Sequence, residues 1–382
     1  MKYQLRDYQK KASDAAVMCF KMKSGRNGLL VLPTGAGKSL IIADIAARLE
    51  EPLIVFQPNK EILEQNFAKL QTYGIWDCSI YSASVGRKEI SRITFATIGS
   101  VIRHMKDFQH FKNILIDECH LVKPSDGMYK RFFEQAERRI VGLTATPYRL
   151  YSCMNGSMLK FLTRTRPRVF SQVLYYCQVS ELLAKGFLSR LKYYDVTRID
   201  LTKVRRNSSG ADFDDASLSD EFRRVDLYGY LISIVKRLLH PKVGGARKGM
   251  LVFTRFTAEA EMLAREIPDS AVVSADTTKS DRERILAEFK AGKIKDVGVL
   301  TTGFDYPELD TVVLCRPTMS LSLYYQMVGR VIRPCPGKNG WVIDLCGNIR
   351  TFGKVEDLRV EQPEKDKWCI KSNGKQLTNV IL

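Results

Sequence analysis

The chain has 382 residues, and its 60 Lys and Arg outnumber its 42 Asp and Glu to give a formal net charge of +18, an excess that points to a polyanionic partner such as nucleic acid. With 45% hydrophobic and 27% charged residues, the composition is that of a globular protein large enough for two domains, and no apolar run is long enough to span a membrane. Nine cysteines without a CxxC pair argue against a zinc ribbon or a disulfide framework, and the absence of an apolar signal core after Met1 adds to an expectation of reduced thiols and a cytoplasmic protein.

In chain order, the first 150 residues alternate β-rich runs at 29–32, 53–56, 78–81, 93–96, 114–116 and 140–143 with helical patterns at 39–49, 60–71, 98–105 and 128–137. Such alternation predicts crossover units on a parallel sheet. Residues 148–194 are rich in aromatic and basic side chains, including Arg164, Arg166, Arg168, Tyr175 and Tyr176. These either face DNA or, for the aromatics, form an ordinary core strand. A polar loop over 205–216 follows, and a helix is expected from Ser219, with Leu227, Leu231, Ile234, Val235 and Leu238 on one face. The alternation resumes with strands at 250–253, 271–273, 311–314 and 341–345 and helices at 257–266, 280–290 and 322–332. Residues 293–300 leave little room for a full buried strand. A short strand fits there, or one over 294–299 with Asp296 at an edge.

The chemistry concentrates at three places. Pro33-Thr34-Gly35-Ala36-Gly37-Lys38-Ser39 lies between the first strand and the first of these helices, an order that puts backbone N–H groups and a positive helix end around a phosphate. Lys38 is then placed to reach the β/γ-phosphates of a nucleoside triphosphate, and the Ser39 hydroxyl to hold magnesium. About eighty residues on, an apolar strand runs into Asp117-Glu118-Cys119-His120. Adjacent strand residues face opposite ways, so Asp117 can hold magnesium through water while Glu118 orients and deprotonates the attacking water. Gln326, Arg330 and Arg333, spaced by four and three, share one face of the expected last helix. From there the arginines can be offered across a cleft to the phosphates.

Together these residues resemble a superfamily 2 helicase motor. The resemblance is carried by Leu5-Arg6-Asp7-Tyr8-Gln9, residues 33–39, Asp117-Glu118-Cys119-His120, Thr144-Ala145-Thr146-Pro147, Val252-Phe253-Thr254, Thr301-Thr302-Gly303-Phe304-Asp305 and residues 326–333, in that order. Within the superfamily the chain is similar to RadD-like DNA repair helicases at residues 31–39 and 142–150, Gly186-Phe187-Leu188 and Cys346-Gly347-Asn348. The cysteine-rich C-terminal part of RadD has no counterpart among these residues. The resemblance implies an α/β fold of two tandem RecA-like P-loop lobes, at 1–165 and 166–382, the second opening on the basic-aromatic segment. ATP and Mg2+ are the implied cofactors, and DNA, as a single strand or branched duplex, the implied partner. An RNA helicase, or an ATP-gated nucleic-acid clamp that does not unwind, remains an alternative; Gln326 and Cys119-His120 argue against the DEAD-box RNA type.

The resemblance also assigns roles residue by residue. Arg6 would stack on adenine and Gln9 read its amino edge, while Thr34, Gly35, Ala36 and Gly37 would join Lys38 and Ser39 around the phosphates. Gly303 and Asp305 would approach the nucleotide from the second lobe, and Thr144 and Thr146 would couple the lobes. Pro58, Asn59, Gln65, Thr97, Thr254, Arg255 and Thr301 would grip the sugar-phosphate backbone of one strand.

Overall fold

The structure, a computed structural model, describes residues 4–22, 26–153, 156–208, 210–242, 245, 247, 249–274, 276–299 and 306–381. Its first lobe is built on β1 (Gly28–Val31), β2 (Leu53–Phe56), β3 (Cys78–Ser82), β4 (Arg87–Lys88), β5 (Ile93–Ala96), β6 (Asn113–Ile116) and β7 (Arg139–Thr144). Except for the unanticipated β4, each lies within a residue of its expected place. β1, β2, β5 and β6 are buried at every position, as strands covered on both faces must be. An unanticipated helix, Asp7–Lys21, packs its Ala12, Ala16 and Phe20 face on this sheet. The helix expected over 98–105 shortens to Ile98–Val101, and that over 128–137 to Met128–Phe133.

After β7 the chain forms an antiparallel hairpin, β8 (Tyr148–Cys153) and β9 (Gly156–Phe161), and then β10 (Gln172–Tyr176). β10 pairs in parallel with β1, giving the order β10-β1-β7-β6-β2-β5-β3-β4. Residues 172–176 therefore belong to the first lobe, and the expected boundary at 165/166 falls too early. The reason is a steric match: a Cβ at Gly28 would clash with the Leu174 side chain, so the glycine lets that side chain close over β1. Phe170 is buried and Val173, Leu174 and Tyr175 pack against the core, so these aromatics are structural.

The second lobe holds β11 (Leu191–Asp195), β12 (Met250–Thr254), β13 (Ser270–Val273), β14 (Asp296–Val299), β15 (Thr311–Cys315) and β16 (Gly340–Asp344), all parallel, in the order β11-β16-β15-β12-β14-β13. Its two faces follow the period of two: Leu251, Phe253, Val312 and Leu314 join the core shared with the first lobe, while Met250, Val252, Val313 and Cys315 join a separate cluster. β14 is short and lies between β12 and β13, so it is not an edge strand. The single helix expected from Ser219 is two, Asp215–Arg224 and Leu227–Leu239. Asp226 breaks it by adopting a left-handed backbone (φ 47°) and accepting from Gly229 N–H at 3.2 Å.

The chain then returns to the first lobe. β17 (Arg359–Glu364), β18 (Lys367–Ser372) and β19 (Lys375–Gln376) form an antiparallel sheet that the sequence reading did not anticipate. Trp368 stacks on Phe161 and meets Tyr176 edge-on, with centroids 6.5 and 5.4 Å apart. The Gln178 side chain accepts from Val360 N–H at 3.0 Å and donates to its carbonyl at 2.8 Å. Asn379 accepts from Phe161 N–H at 3.0 Å. The polypeptide thus crosses between the lobes twice, after β10 and before β17. Among the described residues no helix is long and apolar enough to cross a membrane.

Candidate active site

The loop after β1 turns on Gly35 (φ 82°) and Gly37 (φ 77°), a left-handed backbone that favours glycine, and leads into the helix Lys38–Arg48. At the end of β6, Asp117 accepts from Asn66 Nδ2 at 3.1 Å, and Glu118 adopts φ 47°. That outlying backbone turns the Glu118 carboxylate toward the loop, where it meets Lys38 Nζ at 3.0 Å. Its second oxygen lies 3.3 Å from His120 Nδ1, which is also 3.0 Å from Thr144 Oγ1. Thr144 Oγ1 in turn accepts from Thr146 N–H at 3.0 Å.

Burial sets the electrostatics of this cluster. It opposes charge on Lys38, but Glu118 and Asp117 together outweigh it and hold the ammonium above its ordinary value. Burial, reinforced by Glu118, pushes the Asp117 carboxyl up to about 6. Glu118 goes the other way: Lys38 and His120 overcome its burial and hold it down at about 2. The two neighbouring carboxyls are thus shifted in opposite directions, Asp117 up and Glu118 down.

The second lobe closes the site. Gln326 Nε2 lies 3.4 Å from His120 Nε2, a Cβ at Gly329 would meet Thr34 Cγ2 at 3.1 Å, and one at Gly35 would lie 3.8 Å from Arg333 Cα. The helix expected over 322–332 ends earlier, at Leu321–Val328, so the three residues do not share one helix face. Gly329 closes the helix and Arg330 and Val331 continue in tighter turns, with N–H bonds to Met327 and Val328 carbonyls. Those turns still deliver Arg330 and Arg333 to one cavity of about 430 Å³, lined also by Gly35, Gly37, Lys38, Ser39, Asp117, Glu118 and Gln326. Burial lowers both guanidinium pKa values, that of Arg333 to about 10. A cavity of this size with converging cations fits the phosphates of a nucleotide, and Ser39 and Asp117 supply the oxygen donors magnesium prefers.

Several residues with expected roles already have protein partners. Gln9 braces the phosphate loop: its Nε2 donates to Ala36 O at 2.9 Å and its Oε1 accepts from Arg6 N–H at 2.9 Å, and the Tyr8 hydroxyl also donates to Ala36 O. The Arg6 guanidinium lies 4.0 Å over the Phe187 ring. Pro58, Asn59 and Gln65 line the nucleotide cavity, and the Asn59 side chain caps the helix Lys60–Thr72 by accepting from Ile62 N–H at 2.9 Å. Thr97 stands between β5 and the helix Ile98–Val101, with its hydroxyl 3.1 Å from that of Ser82 and 3.0 Å from that of Ser100. Thr254 is fully buried and contacts the Phe256 carbonyl, so its hydroxyl is not offered to a strand. Arg255 is engaged by Asp212 at 2.7 Å and Asp215 at 2.8 Å. Thr301, Gly303 and Asp305 lie outside the described residues. Asn66, His120 and Phe187 escaped the sequence reading as site residues, although His120 stands within the quoted Asp-Glu-Cys-His run.

Beside Arg255 sits a buried carboxylate, Glu259, 1% exposed, which accepts from Arg255 and Phe256 N–H at 2.9 and 3.2 Å. Burial pushes it from its ordinary 4.5 up to about 7. Because the folded value is the higher one, the associated stability is fully present below pH 4.5 and lost as the pH rises through 7. Glu259→Gln keeps an acceptor for both N–H groups and removes the charge. It is expected to stabilise the protein at pH 8 by up to roughly 3 kcal/mol and to change little at pH 4.5. Melting curves at the two pH values test this; an equal change at both refutes it.

Comparison with known proteins agrees with this geometry. Residues 2–149 match the family profile described as the res subunit of type III restriction enzymes, and residues 231–335 that of the helicase conserved C-terminal domain. Both halves of the cleft thus match family profiles, in tandem and in the order of the two lobes. In both matches and in their order the chain is similar to the superfamily 2 helicases. The chain is 27% identical over 379 residues to IRC3 of Saccharomyces cerevisiae, whose name assigns it provisionally as an ATP-dependent helicase, covering 90% of the present chain and 51% of that protein. It is 25% identical to a DNA 3'-5' helicase XPB of Mycobacterium tuberculosis, over 87% of the chain and 58% of that protein. The chain therefore spans little more than half the length of these two relatives. Its fold matches the DNA-bound type ISP restriction-modification enzyme LlaBIII with a TM-score of 0.67, at 16% identity, over 91% of the present chain and 28% of that chain.

Proposed function

We propose that the chain hydrolyses ATP between its lobes and uses their opening and closing to move along or remodel DNA, in repair, recombination or replication. The observation that carries this is the seating of Gly329 and Arg333 of the second lobe against Thr34 and Gly35 of the phosphate loop. Hydrolysis there can answer to the relative position of the lobes. Ser39 and Asp117 would hold magnesium, whose chemistry at this place is to neutralise phosphate charge. Arg330 and Arg333 would stabilise charge developing on the transferred phosphoryl group.

Glu118 would act as the base, and its pairing gives it a latch. Bound to Lys38, the carboxylate is a poor proton acceptor. When phosphate oxygens draw Lys38 away, the strongest attraction keeping Glu118 ionised is lost and its basicity rises. Activation of water is thereby tied to occupancy of the phosphate site.

DNA as the track is supported by the +18 charge and by relatives named as DNA helicases. Placement among the RadD-like repair helicases is part of the same proposal. The test measures ATP hydrolysis against single-stranded, duplex and branched DNA and matching RNA. DNA is expected to raise the rate, and DNA affinity to fall steeply with salt as counterions are released. A rate indifferent to every nucleic acid would refute the motor, and stimulation by RNA alone would reassign the track.

A further inference from the structure

From Arg138 to Ser180 the sequence contains seven basic residues (Arg138, Arg139, Arg149, Lys160, Arg164, Arg166 and Arg168) and no acidic one. Arg138 and Arg139 are spent on backbone carbonyls of Phe108, Phe111 and Phe20. The other five lie on the β8–β9 hairpin and the turn after it. Arg149 and Lys160 stand directly opposite one another in the antiparallel register. Side chains so placed are close neighbours on one face, and two like charges there repel.

The other hairpin face explains why the charges are not simply buried elsewhere. Tyr148, Leu159 and Phe161 are within the core, so alternation turns Arg149, Tyr151 and Lys160 to the opposite side. Lys160 Nζ rests 5.1 Å over the Tyr151 ring. Arg149 has its Nη1 shielded from solvent with no acceptor. Among the described residues, no carboxylate pairs with Arg149, Lys160, Arg164, Arg166 or Arg168, and the last three are exposed. Two neighbouring like charges without a carboxylate partner are an arrangement that an external anion would relieve.

The hairpin also lies where such an anion would matter. Its base is pinned to Thr146 and Pro147 by N–H bonds from Tyr148 and Leu162, both 2.8 Å. Its far part reaches the second lobe, where Ser157 Oγ donates to the Gly210 carbonyl at 2.6 Å. Two residues on, Asp212 holds Arg255.

We propose that this hairpin is a DNA-binding element, with Arg149 and Lys160 donating to backbone phosphates and Arg164, Arg166 and Arg168 extending the contact. The proposal rests on the reading that the chain works on DNA, and it places part of the track on the segment that joins Thr146 to the second lobe. Contacts of this kind carry no sequence information and set position.

The test uses the whole chain with Lys160→Gln, Arg149→Gln and, as a charge-matched control, Lys279→Gln on an exposed helix far along the second lobe. Binding of a fluorescent single-stranded DNA is titrated over a series of salt concentrations, beside melting curves. Each hairpin substitution is expected to weaken binding several-fold and to flatten the dependence of log affinity on log salt by about 0.7 per lost phosphate. Lys160→Gln should not lower the melting temperature, since it relieves a like-charge pair; this keeps the test decisive if Arg149→Gln folds poorly. An unchanged salt slope, or an equal change from Lys279→Gln, overturns the hairpin contact. Loss confined to an RNA strand of the same sequence overturns the assignment to DNA. If the unsubstituted protein binds no DNA at all, the DNA reading itself fails, which is a different result from a variant that binds like its parent.

Discussion

Glu118→Gln is expected to stop ATP turnover while leaving nucleotide binding intact or tighter. The substitution removes the base, a loss that costs roughly 10²- to 10⁴-fold in rate, and it also releases Lys38 from its 3.0 Å ion pair. An ammonium no longer held by a carboxylate is free for phosphate. Lys38→Ala should behave in the opposite way, weakening ATP binding and abolishing turnover together, because it withdraws charge from ground state and transition state alike. Titration with a fluorescent ATP analogue and single-turnover hydrolysis separate the two. If Glu118→Gln hydrolyses ATP at the unmodified rate, the catalytic carboxylate is another residue.

Arg330→Ala and Arg333→Ala should each cut hydrolysis by roughly 10³-fold or more, the scale seen when an arginine is withdrawn from a phosphoryl-transfer transition state. DNA affinity without nucleotide should survive, since both side chains line the nucleotide cavity. Their effect on folding should be small by comparison: burial already lowers both guanidinium pKa values, so each charge resides there at a cost that alanine removes. Pairing DNA affinity with ATPase rate for each variant decides the matter. Lost DNA binding with unchanged hydrolysis would move these arginines to the nucleic-acid surface.

Much of this was legible in the sequence, for identifiable reasons. Parallel strands buried on both faces, such as Leu53–Phe56 and Asn113–Ile116, are continuous apolar runs that composition exposes directly. The phosphate loop was legible because Gly35 and Gly37 have no substitute at a positive φ. Other features depend on contacts distant in sequence. β10 reads as an aromatic tract until Leu174 is seen filling the gap above Gly28. The early end of Leu321–Val328 is not visible in a pattern whose apolar period continues through Val331 and Ile332. Gln9, Thr254 and Arg255 have side chains equally suited to a ligand or a neighbouring backbone, and only the coordinates reveal that each already has a protein partner.

The double crossing between lobes has a mechanical consequence. Just after β10, the Gln178 side chain is bonded to the Val360 backbone on β17, so the second lobe is inserted into the first and carried on two adjacent pins. A body on one pin can swivel about any axis; a body on two turns about the line through them. Each cycle would then repeat one swing along one arc, with the length of the stroke fixed by the distance from that line. Cutting either pin would leave the catalytic groups chemically intact and the stroke without a defined direction.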